Sequence, residues 1–285
     1  MIWAVLRLLR PKQWIKNVLV GAAPLAAGEL LEPGVASQTL RAFAVFALAS
    51  SATYCLNDVL DAGADALHPV KRSRPVASGL VRPWVALTLA AALAAGALVL
   101  ASPAPLRWAV TSYLGLTVLY CTGLKHKPVL ELGLVAGGFI VRAVGGGAAT
   151  QIPLSKWFLI VTAFASMFMV AGKRLSELAA ESQPVPMVRR SLTFYPLSYL
   201  RMILSVSAGV TITGYCLWAF EVGAAHSGGL WTAISVGPFV LAILRYALDT
   251  DQGRAEEPEE VVLRDPTLQA LGALWLLTFS AGIFL

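Results

Sequence analysis

Nine apolar stretches punctuate the chain, each close to the roughly 20 residues that a helix needs to cross a membrane. They fall at 17–34, 38–56, 83–101, 106–123, 130–149, 154–172, 198–220, 230–248 and 267–285. The pattern predicts an all-α integral membrane protein of about nine transmembrane helices. It leaves short loops and no separate soluble domain, so residues 1–285 are expected to form a single polytopic membrane domain. The first stretch is the weakest, because it carries Glu29 and Glu32. The fifth carries Arg142 and the run Gly145-Gly146-Gly147, small residues that let helices approach closely. Arg7, Arg10, Lys12 and Lys16 interrupt the opening segment, so no cleavable signal peptide is expected.

Composition sharpens this picture. The 285 residues are 57% hydrophobic and only 13% charged, with a mean hydropathy of +0.71. An ordinary soluble domain and a disordered chain are both excluded. The net charge is +6. In so apolar a chain this reflects topology, not nucleic-acid binding. With the N-terminus placed in the cytoplasm, 18 of the 22 Lys and Arg residues lie inside. Arg41, Arg107 and Lys156 lie outside, and Arg142 sits within a span. The expectation is therefore a multi-pass plasma-membrane protein whose C-terminus is outside. Its polar motif loops, at about 57–82, 124–131, 172–197 and 249–266, share the cytoplasmic side. Cys55, Cys121 and Cys216 form no CxxC pair and read as packing residues.

Where the few charges cluster, chemistry is expected. In Asn57-Asp58-Val59-Leu60-Asp61-Ala62-Gly63-Ala64-Asp65 the carboxylates stand at i, i+3 and i+7. On a helix that spacing makes one stripe. Three carboxylates on one face repel each other, and a helix C-terminus disfavours anions. A bound cation removes both penalties, and oxygen-only ligands favour Mg²⁺, with Mn²⁺ as the alternative. Asp58, Asp61 and Asp65 are the candidate metal ligands and catalytic residues, and Asn57 can orient a ligand or bind a hydroxyl. Lys71, Arg72 and Arg74 follow at once. A metal-bearing acidic stripe beside guanidinium groups suits a pyrophosphate. The bland alternatives are a solvated helix end for the acids and topological charge for Arg72.

Further candidates lie on the same side. Lys16 opens the first span, where it faces a binding site or snorkels to the interface. Tyr120 and Lys125 close the fourth span and can bind phosphate or anchor the interface. Arg142, a cation inside a span, needs a carboxylate or an anionic substrate. Lys173, Arg174, Glu177 and Glu181 follow the sixth span, and Tyr246 and Asp249 end the eighth, within reach of a sugar hydroxyl. His68, His126 and His226 are scattered and form no nucleophile arrangement.

The NDxxDxxxD motif closing the second span, the following Lys and Arg74-Pro75-Val76-Ala77-Ser78-Gly79, and the opening Arg-Pro-Lys-Gln-Trp-Ile-Lys-Asn resemble the UbiA superfamily of intramembrane prenyltransferases. The resemblance implies nine helices around a central cavity, Mg²⁺ at the first motif, and a cytoplasm-facing site open sideways to lipid. One departure is informative. Where the superfamily carries a second Asp-rich motif, this chain reads Gly172-Lys173-Arg174-Leu175-Ser176-Glu177. Together with residues 124–127, 152–174 and 243–251, this is similar to an actinobacterial branch of the superfamily. That branch moves 5-phosphoribose from PRPP to a polyprenyl (decaprenyl) phosphate, releases pyrophosphate and feeds cell-wall arabinan synthesis. The resemblance thus implies three anionic groups to hold: a C1 pyrophosphate, a 5-phosphate and the lipid phosphate. Two rival readings are a prenyltransferase using a polyprenyl pyrophosphate and an aromatic acceptor, and a transporter of anionic lipid. Lipid length and a homo-oligomer are left open.

Overall fold

The computed structural model describes residues 2–180, 194–225, 229–255 and 258–284. Among the described residues every regular element is helical. Helix α1 (Ile2–Leu9) leads into a 3-10 helix (Pro11–Gly21) and the short α2 (Ala22–Ala26). Then come α3 (Pro33–Leu60), α4 (Ala62–Leu67), α5 (Pro83–Leu100), α6 (Ala104–Cys121) and α7 (Leu130–Thr150). The chain continues with α8 (Lys156–Ala180), α9 (Leu197–Ala225), α10 (Gly229–Asp251), α11 (Pro258–Arg264) and α12 (Pro266–Phe284). Seven of these are long and apolar enough to cross a membrane: α3, α5, α7, α8, α9, α10 and α12. The chain is a multi-pass membrane protein. Two expected spans take other forms. Residues 17–34 begin inside the 3-10 helix, pass through α2, and turn at Gly28 with φ +75° before α3. Pro24 and Pro33 prevent one continuous helix there. Helix α6 covers the fourth span, with Arg107 and several hydroxyl side chains diluting its apolar character.

The chain divides into two compact units. The first comprises Met1–Leu25, Glu29–Leu134 and Val141–Pro153. Its core joins Val45, Phe46 and Ala49 of α3, Leu106, Val110 and Tyr113 of α6, and Ala149 of α7. Glycine makes this packing possible. A Cβ on Gly146 would stand 1.9 Å from the Val20 carbonyl oxygen, and one on Gly145 would stand 2.4 Å from the Phe46 ring. The glycine run therefore lets α7 press against the 3-10 helix and α3, as small residues do in membranes. A second cluster, Leu8, Cys55, Val76, Val81, Ala86 and Ala90, seats α1 and the loop after α4 against α3 and α5.

The second unit comprises Ala26–Gly28, Val135–Ile140 and the described part of Leu154–Leu285. Helix α8 packs along α9, and α10 packs against both α9 and α12. An aromatic stack of Tyr215, Trp218, Phe239, Trp275 and Phe279 ties α9, α10 and α12 together. The Tyr215 hydroxyl pairs with the Ser235 hydroxyl at 2.7 Å and accepts the Trp275 indole N–H at 2.7 Å. A phenol inside an apolar stack is thereby satisfied.

Candidate active site

In the first unit the acidic motif lies where α3 ends and α4 begins. Helix α3 stops at Leu60, Asp61 sits between the helices at φ −94° and ψ −1°, and Asp65 lies in α4. The Asp61 amide donates to the Asn57 carbonyl, and the Asp65 amide to the Asp61 carbonyl, so the backbone stays nearly helical through the join. Two of the three carboxylates are buried: Asp58 is 1% exposed and Asp65 5%. Each finds a cation. Arg10 pairs with Asp58. Arg74 lies between Asp65 and the same Asp58, 2.6 Å from Asp65 Oδ2 and 3.7 Å from Asp58 Oδ1. Asp61 pairs with Lys125, which the short 3-10 helix Leu124–His126 delivers from beyond α6.

The expected single stripe of three metal ligands is therefore divided. Asp58 and Asp65 come together through Arg74, and Asp61 belongs with Lys125. Among the described residues no three carboxylate, imidazole or thiol side chains gather as a ready-made metal cage. The donor set still fits a hard divalent ion. Asp58 Oδ2 is buried and has no hydrogen-bond partner among the described residues. Such an oxygen is costly unless a cation or donor satisfies it. Mg²⁺ needs only one or two carboxylates when substrate phosphates complete its shell.

The basic residues around this motif separate in the same way. Arg74 is at the motif itself, while Arg72 is exposed on the 3-10 helix Lys71–Ser73. Beside them, His68 Nδ1 accepts the Val70 and Lys71 amides at 3.2 and 3.3 Å. Burial, then the charge of Lys71, push its imidazole below the usual histidine range. Asn57 accepts a weak hydrogen bond from the Cys121 thiol at 3.4 Å, which places it at the end of α6. Tyr120 and Lys16 are half-buried.

Arg142 lies in a second polar group, set among apolar helices. Its Nε donates to Asn17 Oδ1 at 2.8 Å and its Nη2 to the Tyr113 hydroxyl at 2.8 Å. The guanidinium also lies 4.5 Å from the centre of the Tyr113 ring, a cation–π contact. Asn17 donates on to Ser50 at 3.4 Å. The intramembrane cation is thus met by an amide oxygen and a phenol that pin the 3-10 helix to α3, α6 and α7.

In the second unit the motif after the sixth span forms the end of α8. Arg174 is 2% exposed and lies 2.5 Å from Glu177; Lys173 reaches the other Glu177 oxygen at 3.8 Å. Glu181 lies outside the described residues. Tyr246 is seated by Phe168, whose ring centre is 5.4 Å away, and by Gly172, where a Cβ would come within 3.3 Å of the Tyr246 ring. Asp249 is buried at 2% exposure and lies 3.6 Å from Arg245 and 3.4 Å from Arg254. Arg245 bridges onward to Asp265 at 2.7 Å. These groups, with Arg264, line a cleft of about 300 Å³. Asp265 also caps α12, accepting the Thr267 amide at 2.7 Å and the Leu268 amide at 3.1 Å. Burial works to raise the Asp265 carboxyl, but Arg245 and these amides outweigh it and hold it at about 2.

Sequence reasoning missed Arg10, Tyr113 and the Arg245–Asp265 pair. One signal was available for Arg10: it stands directly before Pro11, and buried carboxylates nearby need counter-charges. Its backbone adopts φ 52°, ψ 60°, unusual for a non-glycine residue, and its guanidinium also lies 5.0 Å from the Tyr54 ring centre.

The fold and these polar clusters define a class. Residues 17–277 match the model of the UbiA prenyltransferase family, and the chain belongs to that family. Its fold is that of a UbiA homologue from Archaeoglobus fulgidus solved with DMAPP and Mg²⁺, with a TM-score of 0.71 at 16% identity, covering 98% of this chain and 97% of that one. Within the family, the chain is 46% identical over 294 residues to the decaprenyl-phosphate phosphoribosyltransferase of Mycobacterium tuberculosis, spanning 99% of this chain and 95% of the relative. It is 40% identical over 289 residues to the enzyme of the same name from Corynebacterium glutamicum, covering 99% of this chain and 87% of the relative.

Proposed function

We propose that this chain transfers 5-phosphoribose from PRPP to a polyprenyl phosphate, decaprenyl phosphate being the first candidate, and releases pyrophosphate. The observation that carries the reading is 40–46% identity, over nearly the full chain, to decaprenyl-phosphate phosphoribosyltransferases. The basic motif at Lys173 and Arg174 supports it, because PRPP carries one phosphate more than a prenyl pyrophosphate does. In this reading the protein lies in the plasma membrane, with its N-terminus and active site cytoplasmic and its C-terminus outside. Its lipid product feeds cell-wall arabinan synthesis.

The reaction breaks the C1–O bond to pyrophosphate and forms a C1–O bond to the lipid phosphate. The acceptor is already an anionic nucleophile, so no histidine or cysteine chemistry is required. Asp58 and Asp65, with Asp61 beside them, would hold Mg²⁺. When bound, the ion supplies Lewis-acid stabilisation of the pyrophosphate leaving group. Arg74 and Lys125 then hold phosphate oxygens, Arg74 in the forked geometry a guanidinium allows, and Arg72 awaits the substrate at the exposed rim. Lys16, Asn57 and Tyr120 orient the sugar and its pyrophosphate. The second unit has its own candidate groups: Lys173, Arg174 and Glu177 suit a phosphate, and Tyr246 and Asp249 suit sugar hydroxyls. Arg142 acts on this site at one remove, by fixing the 3-10 helix that carries Lys16.

Purified protein supplied with Mg²⁺ and two substrate pairs tests the proposal. PRPP with decaprenyl phosphate is expected to give a phosphoribosyl lipid. A polyprenyl pyrophosphate with an aromatic acceptor is expected to give nothing. The reverse outcome selects the prenyltransferase reading.

A further inference from the structure

The acidic motif carries its own counter-ions. Three carboxylates, Asp58, Asp61 and Asp65, meet three cations, Arg10, Arg74 and Lys125. The cluster is therefore neutral in formal charge, and it is largely sheltered from water. Asp58, Asp65 and Lys125 are each less than 10% exposed, while the Arg10 and Arg74 side chains keep about a quarter of their surface accessible. A bare divalent ion entering such a cluster would have to displace Arg74 from between Asp58 and Asp65. It would leave a site of charge +2 with guanidinium groups stranded beside the metal. Low local dielectric makes that state unfavourable. A diphosphate entering alone would meet the same carboxylates and leave a large negative excess. The two together remove both penalties, since the carboxylates pass to the metal and the released cations pass to phosphate oxygens.

From this geometry we infer that Arg10, with Arg74, acts as a specificity switch that admits divalent metal only together with a diphosphate. Arg10 thereby becomes a diphosphate-binding residue of this site. The unpartnered Asp58 Oδ2 is the metal's point of entry, because it is buried and the resident cations leave it without a hydrogen bond. The exchange is one of ion pairs, with no bond made or broken. It rests on the metal and pyrophosphate roles assigned under the proposed function, but not on the identity of the acceptor lipid.

Equilibrium dialysis of the purified full-length protein tests it, with Mn²⁺ as the probe metal and inorganic pyrophosphate as the probe anion. Retained Mn²⁺ is read by its electron paramagnetic resonance signal, without turnover. Wild-type protein is expected to bind Mn²⁺ at least about tenfold more tightly with pyrophosphate present than without it, within the usual range of site-to-site coupling. In Arg10→Gln the carboxylate is released, so Mn²⁺ alone is expected to bind severalfold more tightly while the gain from pyrophosphate shrinks. Arg10→Lys, which keeps the charge, is expected to restore the wild-type pattern. A purely structural role for Arg10 would lower both affinities together. If Arg10→Gln does not fold, Arg74→Gln carries the same comparison. The inference is overturned if wild-type protein binds Mn²⁺ equally well with and without pyrophosphate, or if neither neutral variant raises the affinity for Mn²⁺ alone. Should this coupling hold while PRPP and decaprenyl phosphate give no lipid product, the functional reading fails and the ion exchange stands.

Discussion

At the scale of single residues, the ion pairs described above hold named charges in place, and removing one partner has a readable cost. Asp265 is the case that titrates in an accessible range. Its carboxyl is held at about 2, against an unfolded value of about 3.9. A depressed folded value contributes stability that is complete above the unfolded value and disappears as the pH falls toward the folded one. The thermal midpoint of Asp265→Asn in detergent is therefore expected to lie below that of wild type at neutral pH. The gap is expected to narrow between about pH 5 and pH 3, where the wild-type carboxyl begins to lose its advantage. A gap independent of pH would contradict the role given to Arg245 and the α12 amides. Residue-level chemistry was partly legible in the sequence. The Asn57–Asp65 motif announced itself by spacing, since acids at a membrane rim demand a reason. Arg10 was hinted at only by the need of those acids for counter-charge, because its pairing with Asp58 depends on the path of the chain.

At the scale of elements, the close approach of α7 to the 3-10 helix is the contact on which the first unit turns. Gly146→Ala would drive a methyl group into the Val20 carbonyl. The expected cost is about 1–3 kcal/mol, typical of overpacking, read as a lowered thermal midpoint. Gly133, in the same helix, has nothing within 4 Å of its would-be Cβ. Gly133→Ala is expected to be neutral or stabilising by up to about 1 kcal/mol. Equal effects at both positions would show that the contact carries no weight. Helix periods and lengths gave most of the elements, because an apolar run of some 20 residues has few ways to fold in a bilayer. The opening segment escaped that logic. Prolines and glycines at positions 11, 21, 24, 28 and 33 break it into a 3-10 helix, a short α-helix and a turn. The acidic motif shows the same limit: read as one helical stripe, it is two helices joined at Asp61, and that join sends Asp61 to Lys125.

At the scale of the whole molecule, the proposed topology sorts charge to one face of the membrane. Single-cysteine variants in intact cells test that sorting. Ser155→Cys, in a segment expected outside, is expected to react with a membrane-impermeant maleimide. Val70→Cys, beside the acidic motif, is expected to react only after permeabilisation. The opposite pattern would invert the topology and detach the motif from the cytoplasmic supply of PRPP. The central claim, transfer of phosphoribose to a lipid phosphate, is tested most directly by following two labelled phosphorus atoms of PRPP. With purified protein, Mg²⁺ and decaprenyl phosphate, a label at the 5-phosphate is expected to appear in the lipid, and a label at the terminal pyrophosphate phosphorus in solution as pyrophosphate. Asp58→Asn is expected to reduce both signals together, by about a hundredfold or more. A 5-phosphate label that never enters the lipid, or a terminal label that does, would contradict the claim.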